Sequence, residues 1–337
     1  MLDAQTLPLL AKGKNLLAFS AGIDSTALFY LLLHENIPFD IAHVNYHTRE
    51  QSDAETDHVR ALAAQYGKQC YILDSGEIYE NFEAEARRIR YGFFDTVMTA
   101  HGYDVLLTAH QLDDRLEWLL MQLCKGAGLP ELLGMVPVTD RQGYRLVRPL
   151  LAISKVELQT WLDARGYRYF EDASNRDPRH TRNRFRTQHA APLLEQYRSG
   201  IRNSFAFLNR DAATLPPLPV PVIDSDFLML TGPLERAALM RAVDRWLKRQ
   251  GYLLRQGEKE RMLAEDSLVL GRRYALSITP RCAIVTPTAE GSMPKSFRES
   301  CRVLGIGAAV RPYLYAHPDS FTAVQEQLAA AAGEAKR

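Results

Sequence analysis

The chain has 337 residues, 46% hydrophobic and 24% charged, with a formal net charge of +1. That is enough to bury a full core, suits about two domains, and excludes a uniformly basic nucleic-acid binder. No apolar run approaches the roughly 20 residues of a spanning helix, and no basic stretch leads into an apolar run and a small-residue cleavage site, so a cytoplasmic protein without membrane contact is expected. Cys70, Cys124, Cys282 and Cys301 stand apart with no C-x-x-C pair, which signals neither a disulfide framework nor a cysteine metal cluster.

In chain order, apolar runs at 15–20 (NLLAFS), 39–44 (FDIAHV), 70–74 (CYILD), 105–110 (VLLTAH) and 145–150 (RLVRPL) read as strands. Helical patterns near 24–34, 52–66, 81–101, 113–124 and 154–165 alternate with them. This alternation predicts an α/β fold, a doubly wound parallel sheet covered on both faces. Gly67, Gly102 and Gly166 fall just past three of the helices, where a left-handed cap is wanted. A further helical stretch at 187–209 leads into Leu215-Pro216-Pro217-Leu218-Pro219-Val220-Pro221, which cannot continue a helix and reads as a stiff linker. Beyond it, a helix at 233–250, a shorter one near 257–265 and strands at 273–278 and 282–286 predict a smaller α+β domain, and the alanine-rich end at 328–337 reads as a frayed helix or tail. The expected divisions are a catalytic domain over 1–186, a helix and linker over 187–222, and a second domain over 223–337.

The first strand turns into its helix through Ser20-Ala21-Gly22-Ile23-Asp24-Ser25. At the carboxyl edge of a parallel sheet such a turn aims backbone N–H groups and a helix dipole at one point, which suits a phosphate. Gly22 permits close approach, Ser20 and Ser25 offer hydroxyls, and Asp24 has the chemistry to hold a metal ion on the phosphates; the plainer reading is a strand–turn–helix in which Asp24 is an N-cap. A Walker A loop is excluded, because the Gly13-Lys14 pair precedes the strand and lacks the following Ser or Thr. His110, Asp113 and Asp114 follow the strand at 105–110 and so share that edge, where two carboxylates suit Mg²⁺ or a base; alternatively Asp113 caps the next helix and Asp114 is solvated. Residues 176–210 hold eight arginines against Asp177 and Glu195, a local basicity that suggests a phosphate-bearing partner. Arg87 and Arg88 alternate with Glu83 and Glu85 and by themselves read as helical ion pairs, and nothing in the spacing of His43 and His47 demands a metal.

The turn resembles the SGGxDS loop of the ATP pyrophosphatases, the PP-loop superfamily, which cleave ATP between its α and β phosphates. Four further blocks resemble the bacterial tRNA(Ile)-lysidine synthetases: HVNYHTR (43–49), FEAEARRIRY (82–91), TAHQLDD (108–114) with KGAGLPELLGM (125–135), and EDASNRDPRHTRNRFR (171–186). The resemblance runs from about 13 to 210, and more weakly from 229 to 287. It implies an adenine-nucleotide alpha-hydrolase-like fold and a cytoplasmic ligase that joins L-lysine to C2 of the wobble cytidine in the CAU anticodon of tRNA(Ile), through an adenylated cytidine, releasing AMP and pyrophosphate. The cofactor and partners implied are Mg²⁺, ATP, L-lysine and tRNA(Ile), with a homodimer as one expected assembly. The implied nucleotide contacts are Ser20, Ala21, Gly22, Ile23, Asp24, Ser25, His43, Asn45 and Arg87. Asp24, Asp113 and Asp114 are assigned to the metal, and Asp24, His110, Asp114, Arg182 and Arg186 to the chemistry. Two departures stand out: Ala21 occupies a position usually held by glycine, and Gln111 one where a second histidine is common. If position 21 needs a positive φ, alanine costs on the order of 1 kcal/mol. The rival readings are a tRNA thiolase, whose cysteine pairs are missing here, and a non-catalytic ATP-binding sensor.

Overall fold

Leu16 and Leu17 are adjacent, fully buried residues of one strand, and they face opposite cores. That pattern requires a sheet covered twice. The computed structural model describes residues 1–47, 51–76, 78, 82–171, 181–232 and 234–334. It divides into two units, Met1–Ala213 and Thr214–Arg337.

The first unit carries the strands Asn15–Ala18 (β1), Phe39–Asn45 (β2), Cys70–Asp74 (β3), Val105–Leu107 (β4), Val138–Arg141 (β5) and Tyr144–Val147 (β6), in the sheet order β3-β2-β1-β4-β6-β5. Five run parallel, as the alternation predicts, but β5 folds back antiparallel on β6. This edge strand is mostly exposed and polar, so it gives no apolar signal in the sequence. The helices are Leu7–Lys12 (α1), Ile23–His34 (α2), Ser52–Gln65 (α3), Phe82–His101 (α4), Leu112–Leu123 (α5), Leu129–Leu133 (α6), Lys155–Asp163 (α7), Thr181–Phe185 (α8) and Ala191–Ala212 (α9), with a π-helical turn at Arg186–Ala190 joining α8 to α9. Gly67, Gly102 and Gly166 take φ of 63°, 63° and 65°, the left-handed caps expected after α3, α4 and α7.

The helix expected at 187–209 is present and packs against the helices of the first unit. Through α9, Leu194 and Phe205 are buried against Leu112 and Leu116 of α5 and Leu133 of α6. Arg115, itself buried, lays its guanidinium 4.1 Å from the Phe205 ring centroid and donates to Asn209 Oδ1 at 3.2 Å. Arg202 donates to both oxygens of Glu157, at 2.6 and 2.7 Å, and Glu157 also accepts from the Ser154 N–H that opens α7. Arg202 is therefore a structural tie rather than a spare cation.

The second unit is built on an antiparallel sheet of Ile223–Asp224 (β7), Leu228–Thr231 (β8), Ser267–Leu270 (β9), Tyr274–Ile278 (β10) and Cys282–Pro287 (β11), in the order β7-β8-β11-β10-β9. Arg236–Arg249 (α10) and Gln256–Ala264 (α11) cover one face through Leu239, Val243, Trp246 and Met262. Lys295–Leu304 (α12), Arg311–Ala316 (α13) and Pro318–Glu334 (α14) cover the other through Cys301, Leu314, Val324 and Leu328. The alanine-rich end is thus not a loose tail at its start, because Leu328 lies in a core.

A fragment ending at Ala213 should unfold cooperatively, whereas one ending at residue 186 should lose about 3–6 kcal/mol, since it strips Leu194 and Phe205 from their cluster. Urea melts of the two fragments check this; equal midpoints would return 187–212 to the linker.

Candidate active site

The ends of β1 and β4, neighbours in the sheet, open on a cleft of about 300 Å³ lined by Ser20, Asp24, Ser25, Arg87, His110, Asp114, Arg182 and Arg186. A ligand site at this edge is what the parallel topology favours.

Its floor is the turn between β1 and α2. Gly22 caps α2 without any side-chain hydrogen bond, so the first-turn amides have no partner within the helix and their dipole end is open to an anion. Ser25 braces the turn from inside: its Oγ donates to Gly22 O at 3.1 Å, accepts from the Ser20 N–H at 3.2 Å and meets Ser20 Oγ at 3.1 Å. Ala21 takes φ 60°, the left-handed region expected of its usual glycine, and its methyl is wholly buried. Its carbonyl accepts from the Phe170 N–H at 2.9 Å, so the chain just after α7 clamps the turn. The Ile23 side chain lies in the core, which leaves only its backbone to serve a ligand.

Asp24 is the exposed nerve of this turn. Its Oδ1 is buried and has no hydrogen-bond partner. Burial, then the negative charges of Asp114 and Asp113, push its carboxyl from 3.8 up to about 7, against the pull of Lys155 and Arg186. An oxygen donor of this kind fits a hard cation such as Mg²⁺, which takes one or two carboxylates beside substrate phosphates. Among the described residues no cluster of three or more His, Cys, Asp or Glu forms a metal cage.

The opposite wall is an ion network. Gln111 opens α5 with a capping box in which Asp114 Oδ2 accepts from the Gln111 N–H at 3.1 Å. Asp114 Oδ1 accepts from Arg182 at 2.6 Å. Glu117, one turn on and 1% exposed, accepts from Arg182 Nε at 2.9 Å and from Arg186 Nε at 2.5 Å. His110 holds Thr108 Oγ1 through Nδ1 at 3.0 Å; burial, with help from Arg148, Arg182 and Arg87, lowers it to about 4 against the pull of Asp114, so it is neutral at physiological pH.

Six residues assigned to the site lie outside the cleft lining: Ala21, Gly22 and Ile23, which form the turn beneath it, and Asp113, His43 and Asn45. Asp113 accepts from the Lys155 N–H at 3.0 Å and so caps α7 instead of facing a metal. His43 engages Phe19 O at 2.9 Å and Thr56 Oγ1 at 3.1 Å, leaving neither ring nitrogen for nucleotide. Asn45 is spent on Asp53 at 3.0 Å and on the His47 N–H at 2.9 Å. His43 and Asn45 therefore shape the strand ends beneath the cleft. Glu117, which the sequence analysis does not single out, holds the cleft's two arginines, and its spacing three residues after Asp114 puts both on one helix face. Thr48, Arg49 and residues 172–180, including Arg176 and Arg179, fall outside the described residues.

The PP-loop domain family matches residues 4–193. A tRNA(Ile)-lysidine synthase of Wolinella succinogenes is 42% identical over 308 residues, spanning 91% of this chain and 94% of that protein. One from Campylobacter jejuni strain RM1221 is 40% identical over 316 residues, spanning 93% and 96%, and one from Helicobacter pylori strain 26695 is 41% identical over 310 residues, spanning 91% of each. The chain belongs to the tRNA(Ile)-lysidine synthase family. Among solved structures, the U34-tRNA thiolase NcsA of Methanococcus maripaludis matches with a TM-score of 0.50 at 18% identity, covering 63% of this chain and 76% of that one, a likeness of fold. Within the family frame the Ala21 departure is absorbed locally, since the turn keeps its left-handed residue and its bracing bonds.

Two variants test this reading. Because folding raises the Asp24 pKa, ionising it costs stability, by an amount absent below 3.8, growing as pH rises, and complete above about 7. Asp24→Asn should therefore melt above the parent near pH 8, with the gap narrowing at pH 5 and gone below about pH 4, when both are free of ligand. An unchanged melting temperature at both pH values would remove the buried-charge account. Ala21→Gly should keep ATP binding and shift stability by no more than about 1 kcal/mol, because relief of the left-handed strain is offset by the lost methyl and the looser unfolded chain.

Proposed function

We propose that this cleft adenylates the wobble cytidine of the CAU anticodon of tRNA(Ile) and then joins lysine to it. The observation that carries the reading is the meeting, in one cleft, of an uncapped helix start bearing Asp24 with the Asp114–Glu117–Arg182–Arg186 network. The first half suits a nucleotide phosphate and the second a cationic amine beside a nucleic acid.

In the first step the cytidine O2 attacks the α-phosphorus of ATP and pyrophosphate leaves. The first-turn amides of α2 and the hydroxyls of Ser20 and Ser25 hold phosphate oxygens, and Arg87 adds positive charge from α4. Asp24 is the residue that would hold Mg²⁺, which when bound would neutralise phosphate charge. In the second step the neutral ε-amine of lysine attacks C2 and AMP leaves, so a carboxylate must take the ammonium proton. Asp114 is assigned this role, with Glu117 keeping the arginines in place. Neutral His110 suits a hydrogen bond to the reacting base without competing for phosphate. The reaction is placed in the cytoplasm with its tRNA, and no described helix is long and apolar enough to cross a membrane. The second unit is assigned to the tRNA body: it holds 17 Lys and Arg against 13 Asp and Glu in a chain whose net charge is +1.

Incubation with ATP, Mg²⁺, lysine and bacterial tRNA, followed by mass spectrometry of the nucleosides, should reveal a lysine-modified cytidine; its absence, with the tRNA and ATP intact, would overturn the reading. Arg186→Ala should lower turnover at saturating tRNA far more than it raises the tRNA Kd, and should destabilise the protein by about 3 kcal/mol by leaving Glu117 half-compensated. Lysine at this position should restore charge but not the two-point contact, so rescue should be incomplete.

A further inference from the structure

The helix that delivers Arg182 and Arg186 to the cleft continues outward as α9, and its outer side is unusual. Tyr197 is 59% exposed and Phe207 58% exposed. At 100° per residue, Gly200, Ser204 and Phe207, which lie beyond the bend at Tyr197, fall within an arc of about 60°. These three and Tyr197 are exposed, so both rings stand in solvent, Phe207 on a face otherwise made of small side chains. Arg210 lays its guanidinium 5.2 Å from the Phe207 ring centroid. Tyr197 breaks the helical backbone, at φ −125° and ψ 21°, where the rod bends.

Large rings left in water on a helix whose inner face is already packed need an occupant. Rings interleaved with arginine are the composition of a surface on which unpaired bases stack while cations meet the backbone. An apolar protein partner would be opposed by the charge of Arg210 beside the Phe207 ring, which a polyanion welcomes. The position agrees: Tyr197 lies eleven residues beyond Arg186 in the same helical run, and Phe207 ten residues farther on.

We infer that the outer face of α9 is a docking surface for the anticodon arm of the tRNA, with Tyr197 stacking an unpaired base beside the reacting cytidine and the Phe207–Arg210 pair gripping the arm farther out. This rests on the proposed reading of the cleft but not on its chemistry.

The test uses the full chain and a synthetic anticodon stem-loop with a CAU loop. Tyr197→Ala and Phe207→Ala should each weaken binding about tenfold, with melting temperature and ATP binding unchanged. Tyr197→Trp should keep parental affinity, which a merely structural position would not favour. Arg210→Gln should flatten the log–log salt dependence by roughly one unit. Parental affinity in both alanine variants overturns the surface, as does failure of the parent to bind the stem-loop. So does a shift from dimer to monomer in sedimentation that accounts for the loss, since the face would then join two copies. The two readings separate cleanly: stem-loop binding that depends on Tyr197 without lysidine formation sinks the chemistry and keeps the surface, while lysidine formation with indifferent alanine variants does the opposite.

Discussion

A carboxylate that is 1% exposed cannot stay ionised alone, and Glu117 is kept in the fold by two guanidiniums from a segment 65 residues or more away. That pairing dictates much of the rest. It fixes α8 and the π-helical turn against α5, and the four-residue spacing of Arg182 and Arg186 lets both reach one carboxylate. It also sets the start of α9, whose Leu194 and Phe205 then close the apolar cluster over Leu112 and Leu116. One wall of the cleft and the edge of the first unit therefore have a single electrostatic origin.

The other wall is held from the same part of the chain. Phe170 donates to the carbonyl of Ala21, and Gly22 bridges to Phe170, so the turn at the end of β1 is clamped by residues just after α7. Ala21 sits in a left-handed conformation that an L-residue resists. The clamp and the Ser25 bonds together hold it there, while its methyl fills core space that glycine would leave empty. The strain is thus confined to one residue and repaid by packing rather than passed on to the phosphate-binding amides.

Legibility in the sequence followed apolarity. The parallel strands β1 to β4 and their helices were readable because buried strands and amphipathic helices leave strong periodic signals, and the turn was readable because its small residues have few other uses. The exposed strand β5 and the short β7 were silent for the opposite reason, while β8 and β9 went unexpected because four-residue runs are too short to carry a periodic signal. In the site, motif position brought together Asp24, His110, Asp114, Arg182 and Arg186, which do line one cleft. Asp113, His43 and Asn45 are absent from that lining, and their side chains satisfy backbone and neighbouring polar groups, a use that spacing cannot separate from ligand contact. Glu117 was missed because a carboxylate one turn inside a helix looks like an ordinary solvated charge until its burial is known.

Asp114, Glu117, Arg182 and Arg186 satisfy one another, and Asp24 stands apart from them. Its buried oxygen has no partner, and its raised pKa shows that the fold resists the charge a cation would need. Every other charge in the network already has a protein counterpart that must be displaced or shared when phosphates and an amine arrive. On the proposed reaction, phosphate entering beside Arg182 competes with Asp114 for the same guanidinium, and the carboxylate so released is the one placed to accept a proton from lysine. Binding of the first substrate would then prepare the base for the second, with Glu117 retaining enough of both arginines to keep α8 docked throughout.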